Sequence, residues 1–340
     1  MNRKEFLRKS LPSGERGVDR RTFLQLGLLA PFALLAGCGG GGGSPSPGGS
    51  GGSANPTIYV TDFGNNRVVK FNDFNGTGWT TYGSQGNSTG QFNTPLGITV
   101  DSQGRIYIAD SGNDRLVRMD DMNGTNWVTL SSKIALVSPV GVTLDSSGNI
   151  YIVDSNGQRI VRVSDMAGSN PAYLGVLNQS GSGTGSFNEP AAAVVDSGGH
   201  IYITDDGNNR IVRVNNMTGA GWTTYGTSGG GQGQFGEPTG IALDSSGRIY
   251  ISDIGASRIV RMDDMNGTNW ITFGTFGNGT NQFYAPFGIA IDSQNRIYVV
   301  DRRNNRIVRF DDMNGTNWVA YGIQGSGLGN FNNPSGIALH

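Results

Sequence analysis

The chain has 340 residues, 36% hydrophobic and only 15% charged, with 56 glycines and a formal net charge of −1. That apolar share supports a core and excludes a disordered chain, while so much glycine calls for many turns and therefore many short strands. Residues 38–340 hold 18 basic and 23 acidic residues, a net of −5, which excludes the basic footprint of nucleic-acid binding.

Taken in chain order, residues 1–37 read as an export signal. Arg20 and Arg21 stand just ahead of an apolar run from Phe23 to Ala36 that Gly27 and Pro31 interrupt. The run is shorter than the ~20 apolar residues of a membrane-spanning helix, so a cleaved signal is expected rather than an anchor. The paired arginines resemble a twin-arginine signal, and Leu35-Ala36-Gly37-Cys38 resembles the lipobox of bacterial lipoproteins. The second resemblance implies that Cys38 is lipidated and becomes the first residue of the mature protein. Cys38 is the only cysteine, so no disulfide is available to an exported chain. Acyl chains there would hold the protein on a membrane at about 0.8 kcal/mol per buried methylene.

Residues 38–56 are then a linker of Gly, Ser and Pro, too poor in apolar side chains to build a core. Such a tether reaches roughly 25 Å root-mean-square.

Residues 57–340 are a repeat. Tyr59, Tyr107, Tyr151, Tyr202, Tyr250 and Tyr298 recur at intervals of 48, 44, 51, 48 and 48 residues. Three residues after each stands an aspartate (Asp62, Asp110, Asp154, Asp205, Asp253, Asp301), and five further on an arginine (Arg67, Arg115, Arg159, Arg210, Arg258, Arg306). One unit resolves into strands over Gly240–Asp244, Arg248–Asp253, Arg258–Asp263 and Asn269–Phe273, with Ser-Ser-Gly and Asn-Gly turns between them. Four strands at a period near 48 match a propeller blade.

The termini fix the number of blades. The first unit lacks its innermost strand, and Pro334–His340 is an innermost strand with no unit behind it. Together they complete one blade, so five whole units plus this shared one predict a closed, all-β, six-bladed propeller of four-stranded blades. Closure pairs backbone edges that an open β-solenoid would leave bare.

The strings Pro-x-Gly-Ile, Gly-x-Ile-Tyr-Ile-x-Asp and Asn-x-Arg-Ile-Val-Arg resemble the NHL-repeat family across essentially all of residues 57–340. The resemblance implies an interaction platform. Some animal members bind RNA, and some related six-bladed propellers are lyases or lactone hydrolases, so function stays open. The acidic, exported chain argues against RNA.

Residues present in every blade serve needs that every blade has. Each Asp/Arg pair is expected to pin the loop between the second and third strands, and Trp79, Trp127, Trp222, Trp270 and Trp318 to pack blades. The Asp-Asp-Met-Asn-Gly-Thr turns fail the spacing of an EF-hand calcium loop. Function is expected where the repeat is broken on one rim, at Phe63, Glu189, Asp206, Glu237, Phe287, Arg302 and Arg303. The competing reading is that loops drift in sequence because nothing constrains them.

The expectation is an exported, lipid-anchored binding module of a bacterial cell envelope, on its periplasmic or cell-surface side. It would be a monomer, with a protein, peptide or glycan partner and no cofactor. The alternative is a metal-dependent lyase or lactone hydrolase with calcium at Glu189, Glu237 and Asn333. His200 and His340 are the only histidines, too few for a catalytic zinc site.

Overall fold

The computed structural model describes residues 55–130 and 132–340; Arg20, Arg21 and Cys38 lie outside them. Each repeat places β-branched and aromatic residues in runs of five, and these runs become strands. Among the described residues there are six four-stranded antiparallel sheets. Blade 2 comprises Pro95–Val100, Ile106–Asp110, Arg115–Met119 and Val128–Thr129; blade 3 comprises Pro139–Leu144, Ile150–Asp154, Arg159–Val163 and Ala172–Gly175. Blade 4 comprises Pro190–Val195, Ile201–Asp205, Arg210–Val214 and Thr223–Tyr225; blade 5 comprises Pro238–Leu243, Ile249–Asp253, Arg258–Met262 and Ile271–Phe273. Blade 6 comprises Pro286–Ile291, Ile297–Asp301, Arg306–Phe310 and Val319–Tyr321.

Blade 1 is assembled from both ends of the repeat, as expected. Its outer strands are Ile58–Asp62, Arg67–Phe71 and Thr80–Tyr82, and its innermost strand is Pro334–Leu339. Ile58, Tyr59 and Val60 pair antiparallel with Leu339, Ala338 and Ile337. The innermost strands meet their neighbours all the way round, so the ring is closed.

The core lies between blades. Ile58, Val60, Val69 and Phe71 of blade 1 pack against Tyr298, Val300, Ile307 and the fully buried Phe331. Tyr59 and Val68 pack against Ile98, Ile108, Val117 and Phe92 on the other side. A single blade would leave both of these faces in water, which is why the repeat is stable only as an array.

Two details differ from the repeat as read. Asp244 is not the end of a strand: its carboxylate accepts the backbone N–H groups of Ser246 (2.9 Å) and Arg248 (3.0 Å) and so caps the inner hairpin turn. The glycine-rich connections between blades carry short parallel pairs, such as Ser84–Gln85 with Gln91–Phe92. Each pair sets a phenylalanine under a tryptophan. The ring centroids of Phe92 and Trp127 lie 5.2 Å apart and those of Phe331 and Trp79 5.3 Å, so the tryptophans pack blades as expected.

The proline-x-glycine of the inner strand has a steric cause. A side chain at Gly336 would collide with the carbonyl of Leu96 in blade 2. Only blade 4 departs, with Ala192 at this position.

Candidate functional site

The second strand and the innermost strand of each blade end on the same rim, since Pro95 pairs with Asp110, Pro139 with Asp154 and Pro286 with Asp301. The aspartate there is fully buried in all six blades. One of its oxygens accepts the N–H of the residue two before the proline. In blade 2 this is Asn93 to Asp110 at 2.7 Å, in blade 4 Asn188 to Asp205 at 2.7 Å, and in blade 6 Tyr284 to Asp301 at 2.7 Å. The same bond forms from Asn332, Val137 and Gly236 in the other three. The other oxygen takes the arginine, at 2.7 Å from Arg115 Nε to Asp110.

The arginine does more than hold its own loop. Arg115 also donates to the carbonyls of Asn87 (2.6 Å) and Gln91 (2.7 Å) in the connection arriving from blade 1. The pair therefore ties each blade to the connection before it. Burial pushes these carboxyls up from their ordinary value, against the opposing pull of the hydrogen bonds and the arginine.

A second set of bonds acts on the residue just before the proline. Thr94, Ser138, Glu189, Ala285 and Asn333 are left-handed, with φ between 49° and 57° (52°, 54°, 54°, 57° and 49° in turn). Residues before proline favour extended backbone, so this conformation is strained. It is held from the neighbouring blade: Asn66 accepts the N–H of Thr94 at 2.8 Å, Gln158 that of Glu189 at 2.7 Å, and Asn305 that of Asn333 at 2.8 Å. Glu237, which the repeat aligns with Glu189, is not left-handed; its N–H bonds Asp253 at 3.0 Å instead.

On this fixed frame the side chains differ by blade. Blades 2 and 3 contribute Thr94, Ser111, Ser138 and Ser155, with Ser111 and Ser138 hydrogen-bonded at 2.9 Å. Blade 4 contributes Glu189 and Asp206, and blade 5 contributes Glu237. The structure brings together three of the residues singled out in the sequence. The buried guanidinium of Arg302 in blade 6 lies 4.7 Å from the ring centroid of Phe63 in blade 1 and 4.7 Å from that of Phe287 in its own inner strand. Arg303 sits 5.8 Å over the ring of Tyr284, which meets Phe276 edge-on at 5.0 Å.

Tyr284 and Phe276 escape a reading that looks only at residues flanking the prolines and second strands. A register of all six units shows them. Where blade 6 has Tyr284 and Arg303, blades 1, 2 and 4 have Asn332 with Gly64, Asn93 with Gly112 and Asn188 with Gly207. In those blades a side chain on the glycine would strike the asparagine. Blade 6 has exchanged both members while keeping the backbone bond between them, at 3.0 Å from Arg303 N to Tyr284 O.

The six innermost strands enclose a channel of about 290 Å³. Its wall is Gly, Ala, Val, Leu and Ile with Thr99, Thr143, Thr239, Ser335 and Phe287, and no carboxylate or imidazole lies among its lining residues. Glu189, Glu237 and Asn333 stand on blades 4, 5 and 1, and the last two are separated by blade 6. Among the described residues, no three His, Cys, Asp or Glu side chains are grouped to hold a metal ion. His200 Nδ1 lies 2.8 Å from Asp196 in an inner hairpin turn, where blades 2, 5 and 6 have an arginine.

The NHL repeat family matches at residues 92–119, 136–162, 187–213 and 283–310, which fall on blades 2, 3, 4 and 6. No curated protein matches the chain. Among solved structures, a nidogen/laminin complex aligns with TM-score 0.63 and 18% identity, over 84% of this chain and 97% of that one. A streptogramin B lyase aligns with TM-score 0.57 and 17% identity, over 84% and 87% of the two chains. Virginiamycin B lyase from Staphylococcus aureus aligns with TM-score 0.54 and 18% identity, over 81% and 83%. At these identities the likeness is one of fold.

Proposed function

We propose, on the premise that this ring carries NHL repeats, that the protein is a recognition module. It is tethered by lipid on Cys38 outside the cytoplasm and presents the rim described above to a protein, peptide or glycan. The observation that carries this reading is the contrast between backbone and side chains on that rim. In all six blades a buried aspartate fixes the loop backbone through the same hydrogen bond. A loop that varies because it is loose would lose such bonds along with its sequence. Here the aspartate bond is constant while the rim side chains change from blade to blade, which is how a scaffold presents specificity.

The lyase or lactone hydrolase reading has the fold likeness behind it and little chemistry. Its oxygen donors, Glu189, Glu237 and Asn333, are spread over blades 4, 5 and 1, and the channel wall supplies no ionisable group. Recognition needs neither.

Capture from a detergent extract of cell envelopes tests the reading, comparing the protein with a variant carrying Phe287→Ala and Glu237→Gln. Loss of captured components on substitution supports the rim. An identical capture profile sinks it.

A further inference from the structure

Exposed apolar side chains are not spread evenly round the ring. The three most exposed large ones among the described residues are Leu328 (78%), Ile323 (67%) and Phe276 (64%). All three stand in the connections that lead into blades 1 and 6, where sister connections carry polar residues. Ile323 matches Ser84, Thr227 and Thr275; Leu328 matches Thr89, Gln232 and Thr280; Phe276 matches Gln85, Ser228 and Gln324. The connection bearing Ile323 and Leu328 is fixed to blade 1. Asn65 Nδ2 donates to Gly325 O at 2.9 Å, and Arg67 donates to Ser326 O at 2.7 Å and Asn330 O at 2.9 Å. The connection bearing Phe276 is fixed to the adjacent blade 6, where Asn304 Nδ2 donates to Gly277 O at 2.9 Å. Residues 274–285 and 322–333 hold no charged side chain.

Blade 1 is also where the preceding chain joins the ring. Ile58–Asp62 runs toward the rim, so Thr57 lies at the far end of that strand, about 17 Å away at ~3.4 Å per residue. From this we infer that the outer edge of blades 1 and 6 rests on a lipid bilayer, with Ile323, Leu328 and Phe276 inserted among the headgroups. The inference rests on the Cys38 tether of the reading above and states how the ring meets the membrane. A tether reaching roughly 25 Å exceeds the height of the strand, so its root and these side chains can lie against one surface. Exposed aliphatic and aromatic groups gain by leaving water for the acyl boundary. With no charge in either connection, no ion has to be desolvated on the way. The tether keeps the ring at high effective concentration beside the bilayer, so a contact of a few side chains is enough. A second exposed apolar group, Tyr173, Val176 and Leu177, lies on blades 3 and 4, across the ring from blades 6 and 1. One flat surface cannot meet both groups, and the chain joins at blade 1.

The test uses the lipidated protein reconstituted in vesicles of phosphatidylethanolamine and phosphatidylglycerol. Cys38 is alkylated in that form, so a single introduced cysteine takes a nitroxide label. Gln324→Cys places it beside Ile323, and Gln179→Cys places it beside the group on blades 3 and 4; both positions are exposed. Collisions with oxygen, which concentrates in lipid, and with a nickel chelate, which stays in water, locate each label. The expected result is lipid contact at position 324 and water at position 179. Adding Ile323→Thr and Leu328→Thr, the residues that sister connections carry, should abolish the lipid contact at position 324. Water at both positions, on protein that still floats with the vesicles, overturns the inference and leaves the tether standing. Lipid contact at position 179, or contact at 324 that survives the threonine substitutions, also overturns it. Dipolar broadening between labels at position 324 marks a second copy on the patch and overturns it in favour of self-association. Protein that fails to float with the vesicles sinks the tether reading, and this inference with it.

Discussion

Thr57 and His340 exchange both of their backbone hydrogen bonds, at 2.7 Å from Thr57 N to His340 O and 2.9 Å in return. These two bonds end the ladder that seals the ring, and the residues behind them carry the seam's apolar contacts. Ile337 and Leu339 belong to the cluster that joins blade 1 to blade 6. Deleting Pro334–His340 removes the inner strand of blade 1 and bares the edge of Ile58–Asp62. Loss of even one buried aliphatic side chain costs about 2–5 kcal/mol. At roughly 2–4 °C per kcal/mol, Tm should fall by more than about 10 °C. Calorimetry showing an unchanged Tm would remove seam closure as a source of stability.

Closure was legible in the sequence because the two incomplete units are complementary, and because the Ile-Tyr-x-x-Asp run recurs in every unit. The rim residues were legible as places where the repeat breaks. Their partners were not. That Arg302 of blade 6 meets Phe63 of blade 1 depends on ring closure bringing residues 239 positions apart in sequence together. The hydroxyls of Thr61, Thr204 and Ser252 were also missed, since Ala109, Val153 and Val300 hold the same position in other blades and the position reads as plain core.

Those hydroxyls bridge blades. Thr204 Oγ1 accepts the N–H of Ala192 at 2.8 Å and donates to Thr239 O of blade 5 at 2.7 Å. Ser252 makes the same two contacts, accepting from Gly240 and donating to the carbonyl of Phe287 in blade 6. Thr204→Val keeps the shape and leaves a half-buried N–H and a buried carbonyl without this partner. The expected loss is about 1–3 kcal/mol in denaturant unfolding. The exposed control Thr80→Val should change stability by less than about 0.5 kcal/mol. Equal effects from both would mean the bridge contributes nothing.

The Asp/Arg pairs should behave as units. Asp110 accepts from Asn93, Asn113 and Arg115 at 2.7, 2.8 and 2.7 Å, and its side chain is fully buried. Asp110→Asn turns one acceptor oxygen into a donor facing other donors and leaves Arg115 poorly compensated. Breaking one side of such a pair costs about 3–5 kcal/mol. Arg115→Met on that background should then cost far less than it does alone. A double-mutant cycle returning additive losses would show that the two side chains act independently.

Alkaline pH probes the blade interfaces from the other direction. Tyr250 and Tyr298 are each pushed up to about 12, first by burial and then by the negative charge of Asp244 and Asp292, to which their hydroxyls donate at 3.1 Å. A tyrosine raised in the folded state binds its proton more tightly there than in the unfolded chain. Its contribution is fully present below the ordinary value of 10.0 and is lost as pH climbs from 10.0 through about 12. Unfolding free energy should therefore decline across that interval, and ultraviolet difference titration of the native protein should show these phenols ionising only at its upper end. Tyr250→Phe/Tyr298→Phe removes both groups from the linkage, so its stability should fall less steeply over the same interval, whatever its starting value. An identical slope in the double variant would place the alkaline transition elsewhere in the molecule.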